Sequence, residues 1–374
     1  MTRVGSVYDV IVIGLGPGGI SLLKFLEDSN LKVLAVEREF FPKKKPCAGG
    51  LTPKAYSTLK ENFPEIDRVV RERAYEFFLY NGNREVILSS RRVLTYLTDR
   101  AELDHFLFNS LNHSKFDVHL GESALSVEIE EGRVKLKTDK DSYVGRVLVD
   151  SSGVNSRIAR QLNVNREIGF TYERDLEVEK NELIVDFSNF NWGYYWVFPK
   201  GEWVTSGLGE FKKWSNLRSK LIEFERKHGI YGNVLWESGF PIPAGKRRND
   251  VLRKNVLFVG DSGGLVDPLT GEGIFYAARS GILAGECLKR FFERSNVDEL
   301  RNYKRRIDRE FGWEFFWARV VGKLFFSFRG LNLSLVERSE KIANLTAELL
   351  SGEVPYRKAL MRYAGILLRA PFRR

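Results

Sequence analysis

The sequence predicts an α/β protein in which a Rossmann-like domain is interrupted by antiparallel β structure and followed by a helical C-terminal part. Three observations carry that prediction. The stretch Ile11-Val-Ile-Gly-Leu-Gly-Pro-Gly-Gly19 sets a glycine turn between an apolar strand and a helical pattern. The same order returns far downstream, where Val256 to Val259 runs into Gly260-Asp261 and then into a second helix. Between the two lies a long run of β-forming and aromatic residues, and beyond about Asp298 the pattern is wholly helical.

Tyr8 to Ile13 reads as the first strand, and Leu22, Leu23 and Leu26 as the apolar face of the helix after it. Gly14, Gly16 and Gly19 keep the GxGxxG spacing, with Gly18 beside them. The first permits a tight turn, the second lets a pyrophosphate approach the backbone, and the third lets helix and strand lie close. Free N–H groups and the positive end of the helix dipole then face the phosphates. A second strand, Val33 to Val36, ends in Glu37, where an acid that accepts ribose hydroxyls belongs. Phe40 to Pro53, with three prolines and adjacent Gly49 and Gly50, reads as a loop. Its lysines, Lys43 to Lys45, read as a solvated charge run. Cys47 stands next to backbone that lacks side chains, where a flat ring can lie against the main chain.

Asn81-Gly82 between two β-forming runs predicts a hairpin, and Arg100 to Leu111 an amphipathic helix. Leu125 to Ile129 and Val134 to Leu136 alternate about Glu131-Gly132 as an antiparallel pair, and Val147 to Val149 leads into Asp150-Ser-Ser-Gly153. From about Ile168 to Pro243 a mostly antiparallel sheet is expected, with one helix from Leu217 to Phe224. After the Val256 strand, Asp261 can accept from a sugar hydroxyl, and N–H groups around Gly271, Gly273 and Ile274 point at a phosphate or ring carbonyl. The following helix carries Ala277, Ala278, Gly281, Ala284 and Gly285, which permit close packing. The expected division is a discontinuous nucleotide domain (1–50, 95–165 and 250–297), an antiparallel domain (51–94 and 166–249) and a helical region (298–374).

Composition bounds the partners. The 59 Lys and Arg against 49 Asp and Glu leave a net charge of +10, which favours an anionic partner: nucleic acid, an anionic membrane face or a phosphorylated molecule. Nucleic acid is set aside, because the basic residues are dispersed among aliphatics with no stacking platform. Cys47 and Cys287 are the only cysteines, too few for a disulfide framework, a four-cysteine zinc site or an iron–sulfur cluster, so no metal is expected. The chain enters its first strand without a signal-peptide pattern and has no membrane-spanning apolar run, so a cytoplasmic protein is expected.

The two turns, with Arg100 in Asp99-Arg-Ala-Glu-Leu-Asp104 and the stretch Asp150 to Arg157, resemble flavoproteins that share the FAD fold of the aromatic hydroxylases. Three local features narrow that likeness: Pro46-Cys47-Ala48-Gly49-Gly50, Tyr194-Tyr-Trp196-Val-Phe198-Pro199-Lys-Gly201, and Asp267-Pro-Leu-Thr-Gly271-Glu-Gly273. Together they resemble the geranylgeranyl reductase family, in particular the archaeal enzymes that saturate isoprenoid chains of membrane lipids. The resemblance implies FAD as cofactor. Glu37 would hold the adenosine ribose, Arg100 would lie beside the cofactor, Asp261 would bind the ribityl or pyrophosphate region, and Cys47, Ala48 and Gly49 would lie at the flavin.

It also implies a long apolar substrate, a prenyl lipid or prenyl diphosphate, in a tunnel lined by Tyr194, Trp196, Phe198 and Pro199. Moving such a chain through water costs about 0.8 kcal/mol per CH₂, so a peripheral position on the inner face of the membrane is expected. Trp313, Phe316, Phe328 and their basic neighbours, and the basic and aliphatic Tyr356 to Arg374, suit that position. Cys47 is the candidate for positioning or relaying a proton, with a bound water as the other donor. Electrons would come from ferredoxin or NAD(P)H. The rival enzyme is a flavin monooxygenase or halogenase acting on a hydrophobic substrate.

Overall fold

A computed structural model describes residues 7–211 and 216–369. Tyr8–Ile13, Val33–Glu37 and Ser142–Asp150 are apolar almost without interruption, as strands covered on both faces must be. They lie side by side and parallel, Val12 pairing with Val149 on one side and Ala35 on the other. Val256–Phe258 and Leu252–Arg253 extend this sheet at one edge and Asp117–Leu120 at the other, while the hairpin Ala124–Glu130 and Arg133–Thr138 pairs on the Ser142 strand. The turns after Ile13 and Phe258 therefore open at the same end of the sheet.

Helices Pro17–Leu26 and Ile274–Arg294 pack tightly against each other. A Cβ on Gly281 would stand 2.1 Å from the carbonyl oxygen of Gly18, so the small residues of the second helix set this approach. Segment 51–94 is less purely antiparallel than its pattern suggests. Pro53–Asn62 is a helix, capped by Thr52, whose hydroxyl accepts from the Ala55 N–H at 3.1 Å, and it buries Ala55, Tyr56 and Leu59 in the core of the first sheet. Pro53 occupies the first helical turn, where proline starts a helix, although in sequence it reads as the end of a loop.

The second sheet has seven strands in the order Asn233–Ala244, Glu167–Glu177, Val204–Glu210, Gly193–Pro199, Ile184–Asp186, Glu76–Asn81 and Arg84–Ser89. All neighbours are antiparallel except Ile184–Asp186 with Glu76–Asn81. Short strands Gly50–Leu51, Glu72–Ala74 and Thr95–Leu97 form a third sheet.

Beyond the long Ile274 helix come five more: Asp298–Glu310, Gly312–Ser327, Arg329–Arg338, Glu340–Leu350 and Tyr356–Arg369. Leu333, Val336 and Ile342 join Phe77, Leu79, Val86 and Leu88 in one apolar cluster, so these helices cover the outer end of the second sheet. Their aromatics divide: Phe311 and Phe315 are buried against Tyr276, and Phe325 packs edge-on to Phe187, while Trp313, Phe316 and Phe328 stay exposed with Leu331, Met361 and Leu368. No described helix is long and apolar enough to cross a membrane. Arg373 and Arg374 lie outside the described residues.

Candidate functional site

The glycines of the first turn do three different things. Gly14 has φ +86°, and a Cβ there would meet the Ser152 Cα at 2.6 Å; a Cβ on Gly19 would meet the Gly14 carbonyl oxygen at 2.1 Å. Both are demanded by the protein's own packing. A Cβ on Gly18 would meet Val259 at 2.7 Å and the Ala277 carbonyl oxygen at 3.1 Å, so this glycine serves the packing of the second helix. Of the four, Gly16 alone looks onto open space, with no atom within 4 Å of where its Cβ would stand, and it lines a cavity of about 190 Å³ together with Gly14, Glu37, Lys43 and Ser151.

Glu37 closes the far side of that cavity. Its carboxylate accepts from the Leu15 N–H at 2.7 Å and the Glu39 N–H at 3.1 Å and pairs with Lys43 at 2.5 Å. Burial alone would raise its pKa, but the Lys43 cation and these donors outweigh it and hold the carboxyl below its ordinary value. The adjoining lysines are not the solvated run expected. Lys44 pairs with Asp175 at 2.6 Å and with Asp99 at 3.3 Å, and Lys45 with Asp261 at 3.1 Å. Each bridges the 40–53 loop to a different element, and pairing of that kind has no periodic signature in sequence.

A larger cavity of about 450 Å³ begins where the first ends. Arg100 lines both. It is buried, and its guanidinium meets Asp104 at 3.0 Å. Burial disfavours that cation, but Asp104 and the Cys47 sulfur outweigh it and raise its pKa. The polar end of the cavity gathers Lys45, Cys47, Ala48, Asp261, Gly271, Gly273 and Ile274, so residues from three distant segments meet around one space. The Cys47 Sγ accepts from the Gly49 N–H at 3.4 Å. Gly49 itself does not line the cavity: a Cβ there would stand 2.0 Å from the Thr98 carbonyl oxygen, so its glycine serves the approach of two backbones.

The turn at Gly271 is held from below. Asp267 accepts from the N–H groups of Leu269 at 2.8 Å and Thr270 at 3.0 Å, and from the hydroxyls of Tyr356 at 3.0 Å and Tyr276 at 3.3 Å. Tyr194 donates to the Thr270 carbonyl, and Trp192 to that of Pro268 at 2.8 Å. These bonds tie the turn to the second sheet and to the last helix.

From there the cavity runs between the second sheet and the C-terminal helices. Tyr194, Trp196 and Phe198 line it on the sheet side; Val321, Leu324, Phe325, Leu333, Val336 and Leu345 line it on the helix side. Pro199 ends its strand buried, next to Phe198 of the cavity wall. The helical wall has no signature of its own in the sequence, because helix-to-sheet packing across so long a separation leaves only an apolar stripe that any core helix shares.

One titratable group is also missing from the sequence-based expectation. Glu173 lies in the cavity wall, 4% exposed, and burial pushes its carboxyl up to about 7, with Asp175 adding to the rise and Lys200 and Arg100 opposing it. Alternation of Thr171, Glu173 and Asp175 along one strand is the only signal for it in the sequence. Among the described residues no cluster could hold a metal ion.

No family model matches the chain. An uncharacterized protein of Methanosarcina barkeri is 29% identical over 88% of this chain and 86% of its own length. The digeranylgeranylglycerophospholipid reductase of Methanocaldococcus jannaschii is 28% identical over 82% of this chain and 83% of its own. Among solved structures, a geranylgeranyl bacteriochlorophyll reductase-like protein from Thermoplasma acidophilum superposes with a TM-score of 0.81 at 23% identity, covering 96% of this chain and 99% of that one.

Proposed function

We propose, from the premise that the chain belongs to the geranylgeranyl reductase family of flavoprotein oxidoreductases, that it saturates isolated C=C bonds in the geranylgeranyl chains of membrane lipids or their precursors. The cofactor is FAD. Gly14, Gly16 and Glu37 would hold its adenosine half, and Arg100, Asp261 and the Gly271 to Ile274 turn its flavin half. The open space at Gly16 fits a pyrophosphate, since no protein atom occupies the place where a side chain would begin.

The observation that carries the substrate is the form of the larger cavity. Its charged groups gather mostly at the Cys47 and Asp261 end, and the rest of its course is mainly aliphatic or aromatic, with Glu210, Asn332 and Thr346 as polar exceptions. An extended hydrocarbon suits that wall, and its volume of about 450 Å³ is that of a specific ligand site.

Reduced FAD supplies a hydride. An isolated alkene has no carbonyl to hold negative charge, so a proton must arrive ahead of the hydride or with it. The apolar surfaces of Trp196 and Phe198 disfavour water beside the alkene, and Cys47 positions or relays the proton at the flavin end. The exposed Trp313, Phe316, Phe328 and Leu368 form the face by which the enzyme meets a membrane, with Arg247 3.9 Å over the Trp313 ring. Electrons reach the flavin from ferredoxin or NAD(P)H.

Mass spectrometry of lipids from a host expressing the protein tests the reading. Prenyl chains heavier by successive pairs of hydrogens are expected. Unchanged chains refute it, and O₂ uptake coupled to hydroxylation or halogenation would favour the monooxygenase alternative.

A further inference from the structure

We propose, on the reductase reading above, that Glu173 is the proton-holding residue of the cavity, its carboxyl facing the indole of Trp196 across Gly207 and supplying the proton that enters the alkene. Register places the three residues in one row across the sheet: Glu173 is opposite Gly207, and Gly207 is opposite Trp196. Residues directly opposite share a face, and here both flanking side chains line the cavity. Gly207 leaves the middle of the row bare, and the indole lies over it. A Cβ at 207 would stand 2.4 Å from the ring and 2.8 Å from its Nε1, so the indole N–H lies over the strand that separates it from Glu173.

Two polar atoms of this row are left over. Glu173 Oε2 and Trp196 Nε1 are both buried and both lack a hydrogen-bond partner in the protein. Buried polar atoms are nearly always satisfied, because leaving one unmade is costly. An acceptor and a donor left open in one patch of an apolar cavity are what a reacting group and its small polar companion require. The Cys47 backbone N–H bonds to the same carboxyl, which puts Glu173 at the flavin end rather than along the hydrocarbon wall.

A chain of polar groups that reaches the surface lies close to the carboxyl. Lys200 is buried and donates to the Thr205 hydroxyl at 2.6 Å. Thr205 donates to Asp175 at 2.6 Å, and Asp175 pairs at 2.6 Å with Lys44, whose side chain reaches solvent. The charged and titratable groups around Glu173 are Asp175 on its own strand, Tyr194 on the Trp196 strand, Lys200 after that strand, Cys47 on the loop and Arg100 on its helix. Burial dominates them and keeps the carboxyl protonated up to about pH 7.

In the step itself the Glu173 O–H bond breaks and its proton forms one new C–H bond. The hydride supplied by the reduced flavin forms the other. The alkene gains two hydrogens and two electrons, the flavin is oxidised, and Glu173 is left as a carboxylate to be reprotonated from solvent.

The test compares wild-type, Glu173→Gln and Glu173→Asp holoenzymes, reduced beforehand and mixed with a geranylgeranyl lipid. The wild-type rate should fall as pH rises through about 7, and infrared difference titration should show a carboxyl losing its proton over the same range. Glu173→Gln should lose that infrared signal and slow alkene reduction about tenfold or more, with flavin content and chemical reduction of the flavin unchanged. Glu173→Asp should retain a pH inflection. A Gln variant with the wild-type rate and profile overturns the proposal alone, as does an infrared spectrum in which this group is ionised throughout. A wild-type enzyme that saturates no prenyl chain at any pH overturns the reductase reading instead, while the infrared titration still reports whether Glu173 holds its proton.

Discussion

Replacing Gly16 by alanine separates what the fold needs from what the cofactor needs. The backbone at Gly16 has φ −88° and ψ −172°, which alanine adopts without strain, and no protein atom lies within 4 Å of the added carbon. Stability should therefore stay within about 0.5 kcal/mol or rise by up to about 1 kcal/mol, since alanine restricts the unfolded chain. FAD is a different matter: the methyl group enters the space where a pyrophosphate would contact the backbone. Weakening of FAD binding by at least about tenfold is expected, equivalent to about 1.4 kcal/mol. Thermal unfolding of the apoprotein and flavin fluorescence titration measure the two quantities separately. Gly19→Ala is the control, because its Cβ would collide with the Gly14 carbonyl at 2.1 Å and should cost stability. Gly16→Ala binding FAD like the wild type would refute the assignment of this cavity, and an unfolded Gly16→Ala would refute the geometry.

Cys47→Ala should leave FAD bound but slow alkene reduction by more than about tenfold; unchanged turnover of pre-reduced enzyme would remove Cys47 from the chemistry. Glu173 also makes stability depend on pH. Its folded-state pKa of about 7 stands above the ordinary 4.5, so its contribution is fully present below about pH 4.5 and is lost as pH rises through about 7. The loss amounts to about 3 kcal/mol at alkaline pH. Urea unfolding at about pH 5 and pH 8 should show Glu173→Gln gaining about 2.5 kcal/mol on the wild type between the two, and a constant difference would contradict it. Sedimentation with anionic liposomes at low salt should recover the protein, and Trp313→Glu with Leu368→Glu should reduce recovery several-fold; full activity without any liposome binding would dismiss the membrane face.

The parts of this molecule written as local chemistry are legible in the sequence. The glycine turn, the hairpin at Asn81-Gly82 and the Val256 strand each depend on neighbours a few residues apart, and the structure has them where expected. What is not legible depends on register. Glu173, Gly207 and Trp196 become one row only because three strands pair without a slip between them, and a shift of one residue would send Glu173 to the opposite face. Tertiary contacts are equally hidden from the sequence at Gly18, Gly49 and Pro199. Motif spacing puts them beside the cofactor or substrate, yet contacts with Val259, with the Thr98 backbone and with the end of a strand decide what each one faces.

The C-terminal helices couple the cavity to the outer face of the molecule. On Gly312–Ser327 one side carries Phe315 and Ala318 inward, and Val321 and Phe325 line the cavity, while Trp313, Phe316 and Leu324 are exposed. Apolar residues on both sides of a surface helix are unusual, because the outer side gains nothing from packing. A single layer of helices thus forms the cavity wall within and the apolar face without. Tyr356 fastens the start of the last helix to Asp267, under the Gly271 turn, and Gly322 of the Gly312–Ser327 helix packs against Leu269 of the same turn, so the outer helices and the flavin end are in direct contact.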